Sequence, residues 1–187
     1  MEEKNQQLLA ILKAKSFRYR ADPPFKLASG KESPYYVDCK PTTNNAQGMA
    51  LIGEIIFDLI RNDEVQAIGG LTMGADPIAH AVAMISYQKG KPINAFSVRK
   101  KPKDHGNIKA HRIEGDISPG QNVIIIEDVI TTGGSTLQAI EAAREFGLNV
   151  IKVVALLDRE EGGRQNIEKQ DTPVHALFTL SQFTATL

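Results

Sequence analysis

An apolar run, Val123-Ile124-Ile125-Ile126, ends in two adjacent acids, Glu127 and Asp128, and leads through Val129-Ile130 into Thr131-Thr132-Gly133-Gly134-Ser135. Hydroxyls and glycines at the start of a helix suit a phosphate monoester. Free N–H groups and the positive end of the helix dipole face the anion, and the glycines let the backbone approach it without a Cβ in the way. Adjacent carboxylates cannot bind phosphate, so Glu127 and Asp128 need other partners. The vicinal hydroxyls of a ribose, a magnesium ion, or both would suit them. Taken alone, Thr132 or Ser135 could merely cap the helix, with Glu127-Asp128 a solvated turn. The apolar strand running directly into the acids favours a ligand site, because ligands of open α/β sheets sit at the carboxyl ends of strands. No Gly-Lys-Ser/Thr follows the glycines, so this is not a Walker loop. A second cluster, Arg99, Lys100, Lys101 and Lys103, puts four cations in five positions, with His105 two residues later. It suits a polyanion, or a solvated basic loop.

The elements around these residues alternate. Leu8, Leu9, Ile11 and Leu12 place an apolar stripe on a helix ending near Ser16. Extended, turn-broken chain follows: a strand at Phe25-Lys26-Leu27, a turn at Ser29-Gly30, and a strand at Tyr35-Tyr36-Val37. This part, residues 1–40, reads as an N-terminal helix and small hood, and 41–187 as the core. In the core, Met49, Ile52, Ile55, Ile56, Leu59 and Ile60 mark one face of a helix. Val65–Gly70 is a strand, Pro77–Tyr87 a helix with proline in its first turn, and Ile93–Val98 a strand. Asn122–Ile126 is too apolar and β-branched for an edge and predicts a central parallel strand. Leu137–Phe146 is a helix stopped by Gly147, and Val150–Leu157 another buried strand. The expected fold class is α/β, an open, mostly parallel sheet flanked by helices. The segment 99–112 fits no element, and polar loops of that length are usually functional or mobile.

The Glu127-to-Ser135 segment resembles the donor signature of type I phosphoribosyltransferases, which bind phosphoribosyl pyrophosphate (PRPP). Phe25-Lys26-Leu27-Ala28-Ser29-Gly30-Lys31-Glu32-Ser33-Pro34-Tyr35-Tyr36-Val37-Asp38 looks like the hood of the orotate phosphoribosyltransferases. Arg99-Lys100-Lys101-Pro102-Lys103-Asp104-His105-Gly106 looks like their mobile catalytic loop. With Leu157-Asp158-Arg159, these motifs agree with the family in order along most of the chain. The resemblance implies the type I phosphoribosyltransferase fold and transfer of 5-phosphoribose from PRPP to orotate in pyrimidine biosynthesis. It implies that Glu127 and Asp128 hold the ribose hydroxyls, that Val129 and Ile130 belong to the PRPP site, and that Thr131, Thr132, Gly133, Gly134 and Ser135 cradle the 5′-phosphate. Catalytic roles fall to Arg99, Lys100, Lys103 and His105, which also bind PRPP. Orotate contacts fall to Thr131, Tyr36, Val37 and Arg159, whose guanidinium matches a carboxylate bidentately; a pair with Glu160 or Glu161 is its other possible use. Mg²⁺ is the expected cofactor, brought mainly by PRPP rather than by protein ligands. A homodimer with active sites shared between chains is also implied.

The basic loop is physically consistent with that role. As the C1–pyrophosphate bond breaks, negative charge moves onto the leaving group, and cations placed there lower the barrier, more so once water is excluded. Gly106 and its polar neighbours suit a lid that reopens for release. Two positions depart from the family: Ala28 and Met73 stand where some relatives have lysine. Lys26 lies on the same strand face two residues before Ala28.

Bulk properties narrow the alternatives. Lys+Arg and Asp+Glu both number 22, so neither a nucleic-acid footprint nor a membrane anchor is expected. The single Cys39 excludes an intrachain disulfide and reads as a buried small apolar residue. Met1 is followed by the polar run Glu2-Glu3-Lys4-Asn5-Gln6-Gln7, so no signal peptide is expected and the default location is cytoplasmic. A purine phosphoribosyltransferase would share the donor loop, but the hood and basic loop argue against it. A PRPP-sensing regulator would need a nucleic-acid surface for which 187 residues leave no spare length.

Overall fold

The computed structural model describes residues 2–26, 30, 32–101 and 112–185. Helix α1 (Glu2–Lys15) buries Leu8 and Leu12, which lie one turn apart. Four short strands follow: β1 (Phe17–Tyr19), β2 (Phe25–Lys26), β3 (Glu32–Ser33) and β4 (Tyr35–Val37). β1 pairs antiparallel with β4 and β2 with β3, so the hood is two separate ladders. The expected Phe25 and Tyr35 strands are present, although Leu27 and Ala28 lie outside the described residues. β1 and β3 go beyond the expectation, since two or three residues are too few to show alternation.

Helices α2 (Lys40–Thr43) and α3 (Ala46–Ile60) lead into the main sheet. Asn45 caps α3 by accepting from Gly48 N at 3.1 Å, and the helix buries Ile52, Ile55, Ile56 and Ile60, the face its spacing predicts. Then come β5 (Ala67–Leu71), α4 (Asp76–Gln88), β6 (Asn94–Val98), β7 (Ile113–Gly115), β8 (Asn122–Ile130), α5 (Gly134–Glu145) and β9 (Asn149–Asp158). The chain closes with α6 (Gly163–Glu168), β10 (Val174–Thr179) and α7 (Leu180–Thr184). Six strands form one sheet in the order β10-β9-β8-β5-β6-β7, parallel except for β7. The open, mostly parallel sheet was expected; its edge strands β7 and β10 were not. Among the described residues no helix is long and apolar enough to cross a membrane.

The central strand shows why its run is apolar throughout. Ile124 and Ile126 pack with α1, α3 and α4 on one face, while Val123 and Ile125 pack with α5 and α6 on the other. Both faces are dry, so alternation gives way to continuous β-branched residues, each worth about 1.5–3 kcal/mol of burial. The helices after the neighbouring strands β5 and β8 therefore cover opposite faces. That reversal opens a crevice at the strands' carboxyl ends. The ladder between β5 and β8 runs from Ala67↔Val123 to Gly69↔Ile125, whereas β8 stays paired with β9 as far as Ile130↔Asp158. The strand thus extends past its expected end at Ile126, and Glu127 and Asp128 belong to it rather than to a turn.

Candidate active site

A cavity of about 690 Å³ occupies this crevice. From β8 and the following loop it is lined by Asp128, Val129, Thr131, Thr132, Gly133, Gly134 and Ser135, and from the hood by Tyr36 and Val37. Arg159, just past the end of β9, joins the wall. Residues from three distant stretches of chain, all expected at one site, therefore meet. Gly133 takes a left-handed conformation (φ +84°) that an L side chain would resist, and its carbonyl accepts from Leu137 N at 2.9 Å to start α5.

Helix α6 supports this loop from behind. Asn166 Nδ2 donates to Thr132 O at 3.1 Å, and a Cβ on Gly163 would lie 2.5 Å from Thr131 O and 2.8 Å from Gly133 N. The Leu71-to-Asp76 turn closes on the acid pair in the same way, since a Cβ on Gly74 would lie 2.7 Å from Asp128 Oδ1. That oxygen also accepts from Val129 N at 2.9 Å.

The two acids have different surroundings. Asp128 faces the cavity. Glu127 is buried and not part of the cavity lining; its Oε2 accepts from Ser135 Oγ at 2.5 Å and Thr136 Oγ1 at 2.8 Å. Burial pushes its pKa up, the Ser135 bond pulls it back, the Asp128 charge raises it further, and the result is about 7. Ile130, counted with the donor segment in the sequence, packs into the core on the α5 side.

On the hood side, Arg159 is 5% exposed, and its Nε pairs with Glu161 Oε1 at 2.8 Å. Its Nη2 reaches Ser33 Oγ at 3.4 Å and Tyr35 O at 3.5 Å, tying the hood to the end of β9. The Glu161 pair considered from sequence does form, but the guanidinium remains on the cavity wall. Tyr36 packs against Phe25 in a tilted pair with ring centroids 5.5 Å apart, and the Arg20 guanidinium lies 4.3 Å over the Phe25 ring. Cys39 is fully buried, and burial pushes its thiol pKa well up, which suits a packing residue.

Arg99 and Lys100 line a separate cavity of about 440 Å³ with Thr72, Ser97, Lys101 and Glu114. Arg99 pairs with Glu114 at 2.8 Å, and its N–H donates to Arg112 O at 2.7 Å, so the two ends of the 99–112 segment meet at the sheet edge. Lys103 and His105 lie outside the described residues. Sequence reading missed three lining residues, Asp38, Lys40 and Gln138. Lys40 Nζ pairs with Asp38 Oδ1 at 3.2 Å, and that bond raises its pKa. Gln138 lies three residues after Ser135 on the same helix, a spacing that could have revealed it.

The phosphoribosyl transferase domain model matches residues 42–178. The orotate phosphoribosyltransferase of Aquifex aeolicus is 49% identical over 177 residues, 95% of this chain and 96% of that protein. The crystal structure of Mycobacterium tuberculosis orotate phosphoribosyltransferase in complex with PRPP superposes with a TM-score of 0.79 at 33% identity, covering 97% of this chain and 99% of that one. Saccharomyces cerevisiae adenine phosphoribosyltransferase shares the fold, with a TM-score of 0.68 at 21% identity over 95% of this chain and 99% of that one. With the six-stranded sheet, the cradle at the end of β8 and the hood in place, the chain belongs to the type I phosphoribosyltransferases and, among them, to the orotate phosphoribosyltransferase family.

Proposed function

We propose that this protein transfers the 5-phosphoribosyl group from PRPP to orotate, giving orotidine 5′-phosphate and pyrophosphate in de novo pyrimidine synthesis. The observation that carries this is a single cavity joining a phosphate cradle, an acid and a buried cation beside an aromatic hood. Thr131 to Ser135 take the 5′-phosphate on N–H and hydroxyl donors. Glu127 and Asp128 serve the ribose hydroxyls, fixing C1 for attack. Tyr36 and Val37 hold the base, and Arg159 takes its carboxylate, with Thr131 contacting both substrates. The C1–O bond breaks with its electron pair leaving on pyrophosphate, and a ring nitrogen of orotate, its proton lost, bonds to C1. Arg99, Lys100, Lys103 and His105 face the charge that develops on the leaving group. Mg²⁺ is the divalent cation in this reading and neutralises part of that charge when bound.

The division into hood (1–40) and transfer core (41–187), with the 99–112 segment as a lid, belongs to the same proposal, as does a cytoplasmic location. So does a homodimer with shared sites. In its support, none of the described cations of the 99–112 segment lines the acid-pair cavity, as expected if they serve a neighbouring chain. Pyrophosphate release with a panel of bases tests the function. Orotate should exceed uracil by at least about tenfold in kcat/KM, because uracil leaves Arg159 without its carboxylate partner. Comparable values would refute the naming of orotate.

A further inference from the structure

The hydroxyls of Ser135 and Thr136 both donate to one oxygen, Oε2 of Glu127, yet only Ser135 lines the cavity. Thr136 is 1% exposed at the first turn of α5, behind the phosphate loop and out of reach of a ligand there. A donor phosphate in the cradle competes with Glu127 for the single proton on Ser135 Oγ. If Ser135 turned to the phosphate and nothing else donated to Glu127, a buried carboxylate would lose its partners at the moment of binding, at a cost subtracted from donor affinity. We propose that Thr136 is a positioning residue of the donor site, the standing hydrogen-bond partner that keeps Glu127 in place when Ser135 turns to the 5′-phosphate. This rests on the reading above in which Ser135 serves the phosphate and Glu127 the ribose. Thr136 does not touch the substrate, and its effect on the reaction passes through Glu127.

A double-mutant cycle on the full chain tests the idea, read by calorimetric titration with PRPP and by steady-state kinetics. Thr136→Val keeps the side-chain shape and removes the donor, and Thr136→Ser restores the donor. Glu127→Met keeps length and accepts from neither hydroxyl. Thr136→Val should weaken PRPP binding roughly tenfold and raise KM for PRPP with the orotate KM unchanged, while Thr136→Ser stays within about twofold of the unaltered protein. In the Glu127→Met background Thr136→Val should cost nothing further, because the group it acts through is gone. An equal cost in both backgrounds, or loss of melting temperature with PRPP affinity intact, would overturn the proposal and leave Thr136 as packing. If Thr136→Val does not fold, Thr136→Ala completes the same cycle. Should Glu127→Met bind PRPP as tightly as the unaltered protein, the ribose role of Glu127 falls, and this inference with it. Weakened binding in Glu127→Met but not in Thr136→Val sinks the inference alone.

Discussion

Burial drives the Glu127 carboxyl upward, the Ser135 hydroxyl draws it down, and the neighbouring Asp128 charge raises it again, to about 7. An unfolded glutamate titrates near 4.3, so the folded chain holds this proton more tightly than the unfolded one. That contribution to stability is complete below about pH 4 and is lost as pH rises through about 7. Glu127→Gln should therefore melt higher than the unaltered protein at about pH 8, by roughly 2–4 °C per kcal/mol recovered, and the gap should shrink toward about pH 5. A gain independent of pH would show that the carboxyl does not titrate in this range. Binding should follow the opposite course. In the proposed role the ribose hydroxyls need the ionised form, so PRPP affinity should weaken as pH falls through about 7, and Glu127→Gln, weaker at every pH, should lose that slope. Residue by residue, the donor cradle was legible because its parts are contiguous from Glu127 to Ser135. Asp38 and Lys40 were not, because only folding brings the hood to the same wall, whereas Gln138 was open to a helical-spacing argument from Ser135.

At the scale of elements, α3 and the start of β8 could be read because one burial pattern dominates each. The continuation of β8 to Ile130 could not. Glu127 and Asp128 are poor strand formers, and the deciding force is the ladder to β9, which holds the acids in extended chain after β5 has departed. The role of α6 was also hidden, since it comes from close approach of two glycine segments rather than from a motif. That role can be tested directly. Gly163→Ala places a Cβ where only 2.5 Å separates it from Thr131 O, so the cradle must shift. PRPP affinity should fall by about tenfold or more, since small displacements of positioning groups cost that much, with the helical content of the far-ultraviolet spectrum unchanged. Unaltered PRPP affinity would mean that α6 does not set the cradle.

For the whole molecule, the separation between the cationic cavity at Arg99 and the acid-pair cavity is the feature that the proposed shared-site dimer addresses. Lys103→Ala and Asp128→Asn homodimers should each be nearly inactive. Mixed and exchanged, half of the dimers become hybrids with one unaltered site each, and activity should return to roughly a quarter of the original by counting sites under two-fold symmetry. Activity that stays at the parental level after exchange is confirmed by mass would show that the segment does not act in trans. Behind the proposed donor half of the cleft, Gly74 and Gly163 leave no room for a β-carbon against Asp128 and Thr131, whereas Tyr36, Val37 and Arg159 line the proposed base half with side chains. The two halves are thus unequally open to evolutionary drift. A descendant lineage acquiring a new base would rewrite the hood wall by single exchanges and inherit the sugar-phosphate wall intact.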